Sequence, residues 1–294
     1  MDPQSVLMHQ AMLADRPRMR AYDRALEQAV GPGDVVVDVG AGALALSMLA
    51  LRHGAGHVYA VEADPDLVAV AEAIVRDNDL KGRITVVQAD ARVVRLPRKA
   101  DVVVAELIGN LGPEEDMMGA VGSVARRWLV PGGRVVPRGL ATRLAAIEFD
   151  QEGWGLWGDD FLGYRMSAVQ QLVAPAAQLH FFQRHPRLLS EPVLAEGLRP
   201  GGPPWSGRLR IAEPGTLHAV IGYFTVDLAD GVTLTNFPSY PGCNWAVWVW
   251  PVRHTGVAVD TELSVRLHSP RGRRQGRVAT DWWLECGLVG RGAD

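Results

Sequence analysis

The apolar positions of this chain fall into two regimes. Through residue 138, short β-branched runs alternate with longer stretches of helical period; from Thr142 onward, strand-like alternation broken by Gly/Pro turns takes over. Val35–Val39, Val58–Val61, Ile84–Ala89 and Asp101–Ala105 are too short and too β-branched for helices and read as buried strands. Ser5 to Val30 places Leu7, Met8, Met12, Leu13, Met19, Tyr22, Leu26 and Val30 at near-helical spacing, and Pro17 should divide it into two helices. Ala43–His53 and Met117–Leu129 are further helices, and Gly31–Asp34 is a turn. In the second half, turns at 200–203, 214–215, 230–231 and 269–270 separate short strands, which predicts an all-β module. The predicted fold class is α/β + β. A Rossmann-like domain at 31–138 follows an N-terminal helical segment at 1–30 and precedes an all-β barrel domain at 139–294. Residues 154–193 are less regular and read as an excursion that packs on a second subunit.

The polar positions at the ends of these strands carry the candidate chemistry. The strand Asp101–Ala105 runs into Glu106, a Gly-Asn-Leu-Gly-Pro loop, and Glu114-Glu115-Asp116. A loop that folds back brings Glu106 and Glu115, nine residues apart, to one pocket at the carboxyl end of a strand, where open α/β sheets place ligands. Paired carboxylates there suit a planar cation with several N–H donors, and guanidinium is the best match. The alternative is a solvated acidic loop that starts the next helix.

Gly40-Ala41-Gly42 follows the first strand and Glu62 ends the second, twenty residues after Gly42. This βαβ unit lets a ligand approach the backbone at a helix N-terminus, with Glu62 placed for ribose hydroxyls; the spacing alone admits either NAD or S-adenosylmethionine. Asp38, two residues before the first glycine, would repel a pyrophosphate and attract the ammonium of a methionyl group. Asp90-Ala91, at the end of the third strand, offers an acid and a backbone N–H for adenine. Together Asp38, Gly40, Gly42, Glu62, Asp90 and Ala91 favour S-adenosylmethionine.

Composition narrows the classes further. At 294 residues, 48% hydrophobic and 21% charged, the chain reads as a soluble globular protein, and a net charge of −3 gives no reason to expect nucleic acid or an anionic membrane as partner. Two cysteines, Cys243 and Cys286, and a start without a basic signal region indicate a cytoplasmic protein. The eight histidines form no ligand cluster, and neither a nucleophile elbow nor a paired-cysteine motif is present, so neither a metal nor a nucleophilic triad is expected. Lys81 and Lys99 are the only lysines among 30 basic residues, a bias that reads as a G+C-rich bacterial coding sequence. Trp245, Trp248 and Trp250 read most simply as core aromatics.

At this point the residues resemble a family, the protein arginine N-methyltransferases: class I methyltransferases with a C-terminal β-barrel. Val36–Gly42 is similar to its first cofactor motif, Val58–Ala63 to its second, Ala105–Glu115 to its double-Glu loop, and Trp128–Pro137 to the segment that follows. Met12-Leu13-Ala14-Asp15 with Arg18 and Tyr22 is similar to its N-terminal helix. The resemblance implies that Arg18 binds the cofactor carboxylate, that Glu106 and Glu115 are the catalytic clamp with Glu115 the proton acceptor, and that Met12, Asn244 and Trp245 line the substrate pocket. It also implies a homodimer. Three departures stand out: Leu44 replaces the usual third glycine, Cys243-Asn244-Trp245 lacks the family's histidine, and the helix preceding His9 is cut short.

The leading expectation is therefore an S-adenosylmethionine-dependent N-methyltransferase of guanidino nitrogen. Bacterial composition and compact size incline it to free L-arginine or a guanidine metabolite; a protein or peptide arginine is the alternative. Outside this class stand a silent S-adenosylmethionine-binding scaffold and an NAD-dependent enzyme.

Overall fold

The structure, a computed structural model, describes residues 3–149, 162–172, 176–237, 244–270 and 282–289. The N-terminal stretch divides at Asp15 rather than at Pro17: helix α1 runs Pro3–Ala14 and α2 Arg16–Ala29. Asp15 caps α2 by accepting the Arg18 backbone N–H at 3.1 Å. Pro17 lies in the first turn of α2, where a missing N–H breaks no helical hydrogen bond, so the expected breaker is a helix starter.

Five parallel strands follow: β1 (Val35–Val39), β2 (His57–Glu62), β3 (Ile84–Gln88), β4 (Ala100–Ala105) and β5 (Leu129–Val136), in the order β3-β2-β1-β4-β5. Helices α3 (Ala45–Arg52), α4 (Pro65–Asp77) and α5 (Met117–Trp128) connect them. β1 is buried at every position, as a central parallel strand covered on both faces must be. From β1 the chain moves outward through β2 and β3 and then returns to add β4 on the other side. The carboxyl ends of β1 and β4 therefore flank the crevice at which the strand order reverses. The glycine loop leaves β1 into this crevice and the acidic loop leaves β4 into it.

The second unit begins with β6 (Gly139–Glu148). It continues with β7 (Gln178–His180), β8 (Arg187–Leu188), β9 (Val193–Ala195), β10 (Trp205–Arg210), β11 (Gly215–Ala229), β12 (Val232–Thr235), β13 (Val247–Val257), β14 (Glu262–His268) and β15 (Trp283–Leu288). The larger antiparallel sheet has the order β7-β13-β11-β6-β8, with β12 paired to β11 and β9 to β6; β10-β14-β15 form a smaller one. Period-two alternation assigns the faces. Leu144 and Ala146 join Leu209, Leu263, Val265 and Leu267 in a core between the sheets, while Ala145 and Ile147 join Phe149, Tyr223 and Phe237 on the opposite face. Of the expected excursion at 154–193, residues 154–161 and 173–175 lie outside the described residues; a short helix at Ala168–Leu172 departs from the all-β expectation, and β7 and β8 are strands of the larger sheet.

A single apolar cluster crosses from one unit to the other. Ala21, Tyr22, Ala25, Leu26 and Ala29 on one stripe of α2 pack with the parallel sheet and with Phe224, Val226, Leu228, Val232 and Leu234 of β11 and β12. The acidic loop is thereby enclosed between the two units. Among the described residues no helix is long and apolar enough to cross a membrane.

Candidate active site

The glycine loop is strapped to the end of β2: the N–H groups of Gly40 and Ala41 both donate to the Val61 carbonyl, at 2.9 and 3.1 Å. Gly40 and Gly42 have φ of +72° and +47°, the left-handed region that glycine enters without strain. A Cβ on Gly40 would stand 2.5 Å from Leu107 Cδ2, so this turn also touches the acidic loop. Leu44, where a third glycine was missing, nevertheless adopts φ 64°, a left-handed conformation costing about 1–2 kcal/mol in a non-glycine residue. Its fully buried side chain offsets that cost, and α3 starts at Ala45 rather than Ala43 as a consequence.

Two carboxylates face this loop. Glu62 Oε2 accepts the Gly42 N–H at 2.9 Å, and its Oε1 accepts the N–H groups of Ala63 and Asp64, so in this structure it clasps the loop onto β2. Asp38 is 1% exposed; its Oδ2 accepts the Ser47 hydroxyl at 2.6 Å, and its buried Oδ1 has no hydrogen-bond partner. Burial pushes its carboxyl from 3.8 up to about 6, with the Ser47 hydrogen bonds pulling the other way and the Glu62 charge adding a further rise. A buried acceptor without a donor is costly unless something supplies one. An ammonium or hydroxyl ligand would do so. His9 of α1 covers the loop, since a Cβ on Gly42 would lie 3.0 Å from its Cε1.

The acidic loop is closed by reciprocal hydrogen bonds between Gly109 and Gly112, at 3.3 and 3.1 Å. Glu106 lies three residues before this closure and Glu115 three residues after it, on the 3-10 turn Pro113–Glu115. Both are half-buried, whereas Glu114 between them is buried. The barrel holds the loop by its backbone. Trp245 Nε1 donates to Ile108 O at 2.7 Å, Asn236 Nδ2 to Asn110 O at 2.8 Å, and the Thr142 hydroxyl to Leu111 O at 3.0 Å, while Asn110 Oδ1 accepts the Ala246 N–H at 2.8 Å.

Arg18 lies at the centre of this arrangement. It is 3% exposed, donates through Nη1 to Glu106 Oε2 at 2.8 Å, pairs with Asp15 at 3.3 Å, and lies flat on Trp245 with Cζ 3.4 Å from the ring centroid. The other Glu106 oxygen accepts the Ile108 N–H at 3.1 Å. Tyr22 donates its hydroxyl to Ala105 O at 2.9 Å, tying α2 to the end of β4, and burial raises its phenol well above the ordinary range. Asn244, in the position of the missing histidine, donates its backbone N–H to Asp15 Oδ2 at 3.1 Å and its side-chain amide to the Ala11 carbonyl. Cys243 lies outside the described residues.

The structure therefore brings Asp38, Gly40, Gly42 and Glu62 together around one loop, and Arg18, Glu106, Asn244 and Trp245 together around the other. Asp90 is exposed, one residue beyond Ala89, whose N–H donates to the Glu62 carbonyl at 2.9 Å; Asp90 Oδ1 accepts the Arg92 N–H at 2.8 Å, and Arg92 links it to Asp116. The Ala91 carbonyl accepts from Arg127. Met12 is half-buried and its carbonyl accepts the Asp15 N–H. The sequence assigns no role at the site to Asp15, His9, Glu114 or Trp248: Glu114 reads as part of a helix start and Trp248 as core packing. For capping, Asp15 carries a local signal, an acid two residues before a proline and a helical stripe.

Fold and site together define a class I methyltransferase architecture: a Rossmann-like sheet with a glycine loop and an acidic loop at its switch point, followed by an all-β barrel domain. The family model for ribosomal protein L11 methyltransferase (PrmA) matches residues 23–139. Residues of this chain are 33% identical over 175 positions to the probable protein arginine N-methyltransferase 6 of Arabidopsis thaliana, a match covering 58% of this chain and 40% of that protein. The chain thus spans less than half the length of that curated relative. Two solved structures share the fold. Protein arginine methyltransferase 1 of Trypanosoma brucei, solved as an enzyme–prozyme heterotetrameric complex with AdoHcy, aligns with a TM-score of 0.73 at 21% identity, over 97% of this chain and 94% of that one. Protein arginine methyltransferase 10 of Arabidopsis thaliana, in an open conformation, aligns with a TM-score of 0.71 at 23% identity, over 96% and 97%. The resemblance read from the motifs is the one these relatives carry.

Proposed function

We propose that this chain is an S-adenosylmethionine-dependent arginine N-methyltransferase whose acceptor is arginine in a protein or peptide. One observation carries the reading: the acidic loop already holds a guanidinium, that of Arg18, on the Glu106 carboxylate and the Trp245 ring face. A desolvated contact of that kind is worth about 2 kcal/mol. The same chemistry suits a substrate guanidinium entering beside it, since Glu106 remains partly exposed and has lone pairs beyond those used by Arg18 and Ile108.

On this reading, Asp38 takes the ammonium of the cofactor, Gly40 and Gly42 admit it, Glu62 reads its ribose, and Asp90 with Ala91 its adenine. Arg18 has five N–H donors, so it can keep Glu106 in place while its other edge meets the cofactor carboxylate. When bound, S-adenosylmethionine supplies an electrophilic sulfonium methyl and departs as S-adenosylhomocysteine. Guanidinium is a poor nucleophile because its lone pairs are delocalised. Glu106 and Glu115 localise the positive charge on the nitrogens they bind, leave electron density on the attacking nitrogen, and orient it in line. As the new N–C bond forms, Glu115 accepts the proton that nitrogen loses. With asparagine at 244, the barrel loop offers no imidazole for that step.

The inclination toward free arginine finds no support among the relatives, whose names specify protein arginine; the peptide reading takes its place. The domain limits at 30, 138 and 139, a homodimeric assembly and a cytoplasmic location belong to the same proposal. The test mixes purified protein and S-adenosylmethionine with free L-arginine and an Arg/Gly-rich peptide, and scores mass gains of one methyl. Gain on the peptide is expected. Gain on free arginine alone overturns the peptide assignment, and gain on neither overturns the activity.

A further inference from the structure

Glu114 is 5% exposed and carries no part of the chemistry above, yet the turn from Gly109 to Glu115 folds onto its carboxyl group. Its Oε1 accepts the Leu111 backbone N–H at 2.6 Å and the Trp248 indole N–H at 3.1 Å. The backbone N–H groups of Gly112 and of Glu114 itself also favour its charged form, against burial, which raises its carboxyl above the ordinary 4.5. Its buried Oε2 has no partner and lies against Gly109, where any Cβ would overlap the carboxylate. Residues 109–114 are therefore wound around one side-chain carboxyl group. The same Oε1 is fixed to the barrel through Trp248. Trp248 stacks on Trp250 with centroids 5.8 Å apart at 9°, and Trp250 donates to Trp282 O at 3.0 Å.

Burying a carboxylate beside indoles is unfavourable unless its acceptors are used, and an apolar side chain would fill the same space without that cost. What Glu114 contributes is thus a set of acceptors aimed at the loop's own N–H groups. We infer that Glu114 is a positioning residue of the acidic loop: it shapes the turn from Gly109 to Glu115, and through Trp248 it lets the barrel set the placement of Glu106 and Glu115. This rests on the methyl-transfer role proposed for that loop. Glu115 is its immediate neighbour in sequence, and the Gly109–Gly112 closure that it braces lies three residues from Glu106.

The test compares E114Q and E114L in the full chain by kcat and KM on an Arg/Gly-rich peptide, S-adenosylmethionine affinity, and hydrogen exchange of the loop amides. Gln keeps one acceptor oxygen for Leu111 and Trp248, and E114Q should stay within about fivefold of the wild-type kcat. Leu keeps none, and E114L should lose about 100-fold in kcat with cofactor affinity unchanged and faster exchange confined to residues 109–114. E114L with wild-type kcat and slow exchange overturns the inference. So does an equal loss in both variants with exchange accelerated throughout the molecule, which marks a packing role. If the wild-type protein methylates no guanidine, the methyl-transfer reading fails; exchange in E114L then still decides whether Glu114 holds the loop.

Discussion

The two loops at the switch point are built in opposite ways. The glycine loop is made by its neighbours in sequence: β1 delivers it, the end of β2 straps it, Glu62 fastens it, and Ser47 of the same βαβ unit holds Asp38 on the strand before it. It is left with one unmet demand, the buried Oδ1 of Asp38. The acidic loop is made by remote chain: Trp245, Asn236, Thr142 and Trp248 come from the barrel and Arg18 from α2, and its own unpartnered acceptor, the buried Oε2 of Glu114, is packed against Gly109. The unmet acceptor of Asp38, beside the glycine turn, is poised for a ligand that brings a donor. A loop whose carboxylate already grips a guanidinium is poised to exchange or share it. Binding of the cofactor and handling of the acceptor should therefore respond separately to substitution.

The largest separation is expected from Glu106→Gln, which should lower turnover by about 1,000-fold or more through loss of the charged clamp, with cofactor affinity changed by no more than about twofold. Equilibrium dialysis beside a methyl-transfer assay reads both, and a parallel loss of affinity would show that the loops act as one. The mirror case is Asp38→Asn, for which S-adenosylmethionine affinity should fall about 100-fold, as expected for removal of a charge-assisted hydrogen bond in a buried site.

The same aspartate gives a pH signature with opposed signs. Only ionised Asp38 attracts a cation, so affinity should be flat above neutrality and decline as pH falls through about 6. The ligand-free fold behaves the other way. Its Asp38 binds a proton more tightly than the unfolded chain does, so this group adds stability as pH falls from about 6 toward 3.8. Binding titrations and melting curves across that window should diverge; Asp38→Asn should abolish the divergence.

The smallest effects sharpen the boundary between the loops. Alanine at Gly40 or Gly42 incurs about 1 kcal/mol or more of left-handed backbone strain, measurable as a lowered Tm. Gly42→Ala crowds His9 and should weaken cofactor binding alone, whereas Gly40→Ala presses on Leu107, next to Glu106, and should lower turnover as well.

How legible each loop was in the sequence follows from how it is built. Asp38, Gly40, Gly42 and Glu62 are read from spacing, because strand, turn and helix succeed one another within one unit. Even there Leu44 misleads: its left-handed backbone is held by burial, which a glycine count does not register. The Glu106–Glu115 spacing and the strand before it were equally plain. Arg18 was recognised as a ligand residue, but its place on Glu106, 88 residues away, was not foreseen. Trp248 read as core packing, since nothing local distinguishes an indole that packs from one that also donates to a carboxylate 134 residues distant. Pro17 reads as a breaker only in isolation; with Asp15 capping the helix, it falls in the first turn, where a proline starts a helix.

By itself the sequence determined the order of elements, the parallel sheet with its switch point, the all-β second half, and the residue types offered at each strand end, because hydrophobic period and turn chemistry act over a few residues. Which acid is exposed and which is buried, where the Arg18 guanidinium rests, and how the barrel grips the acidic loop were decided only by the tertiary structure. Those outcomes depend on the register of β6, β11 and β13 against a loop more than thirty to more than a hundred residues away, and on desolvation, which no local pattern encodes.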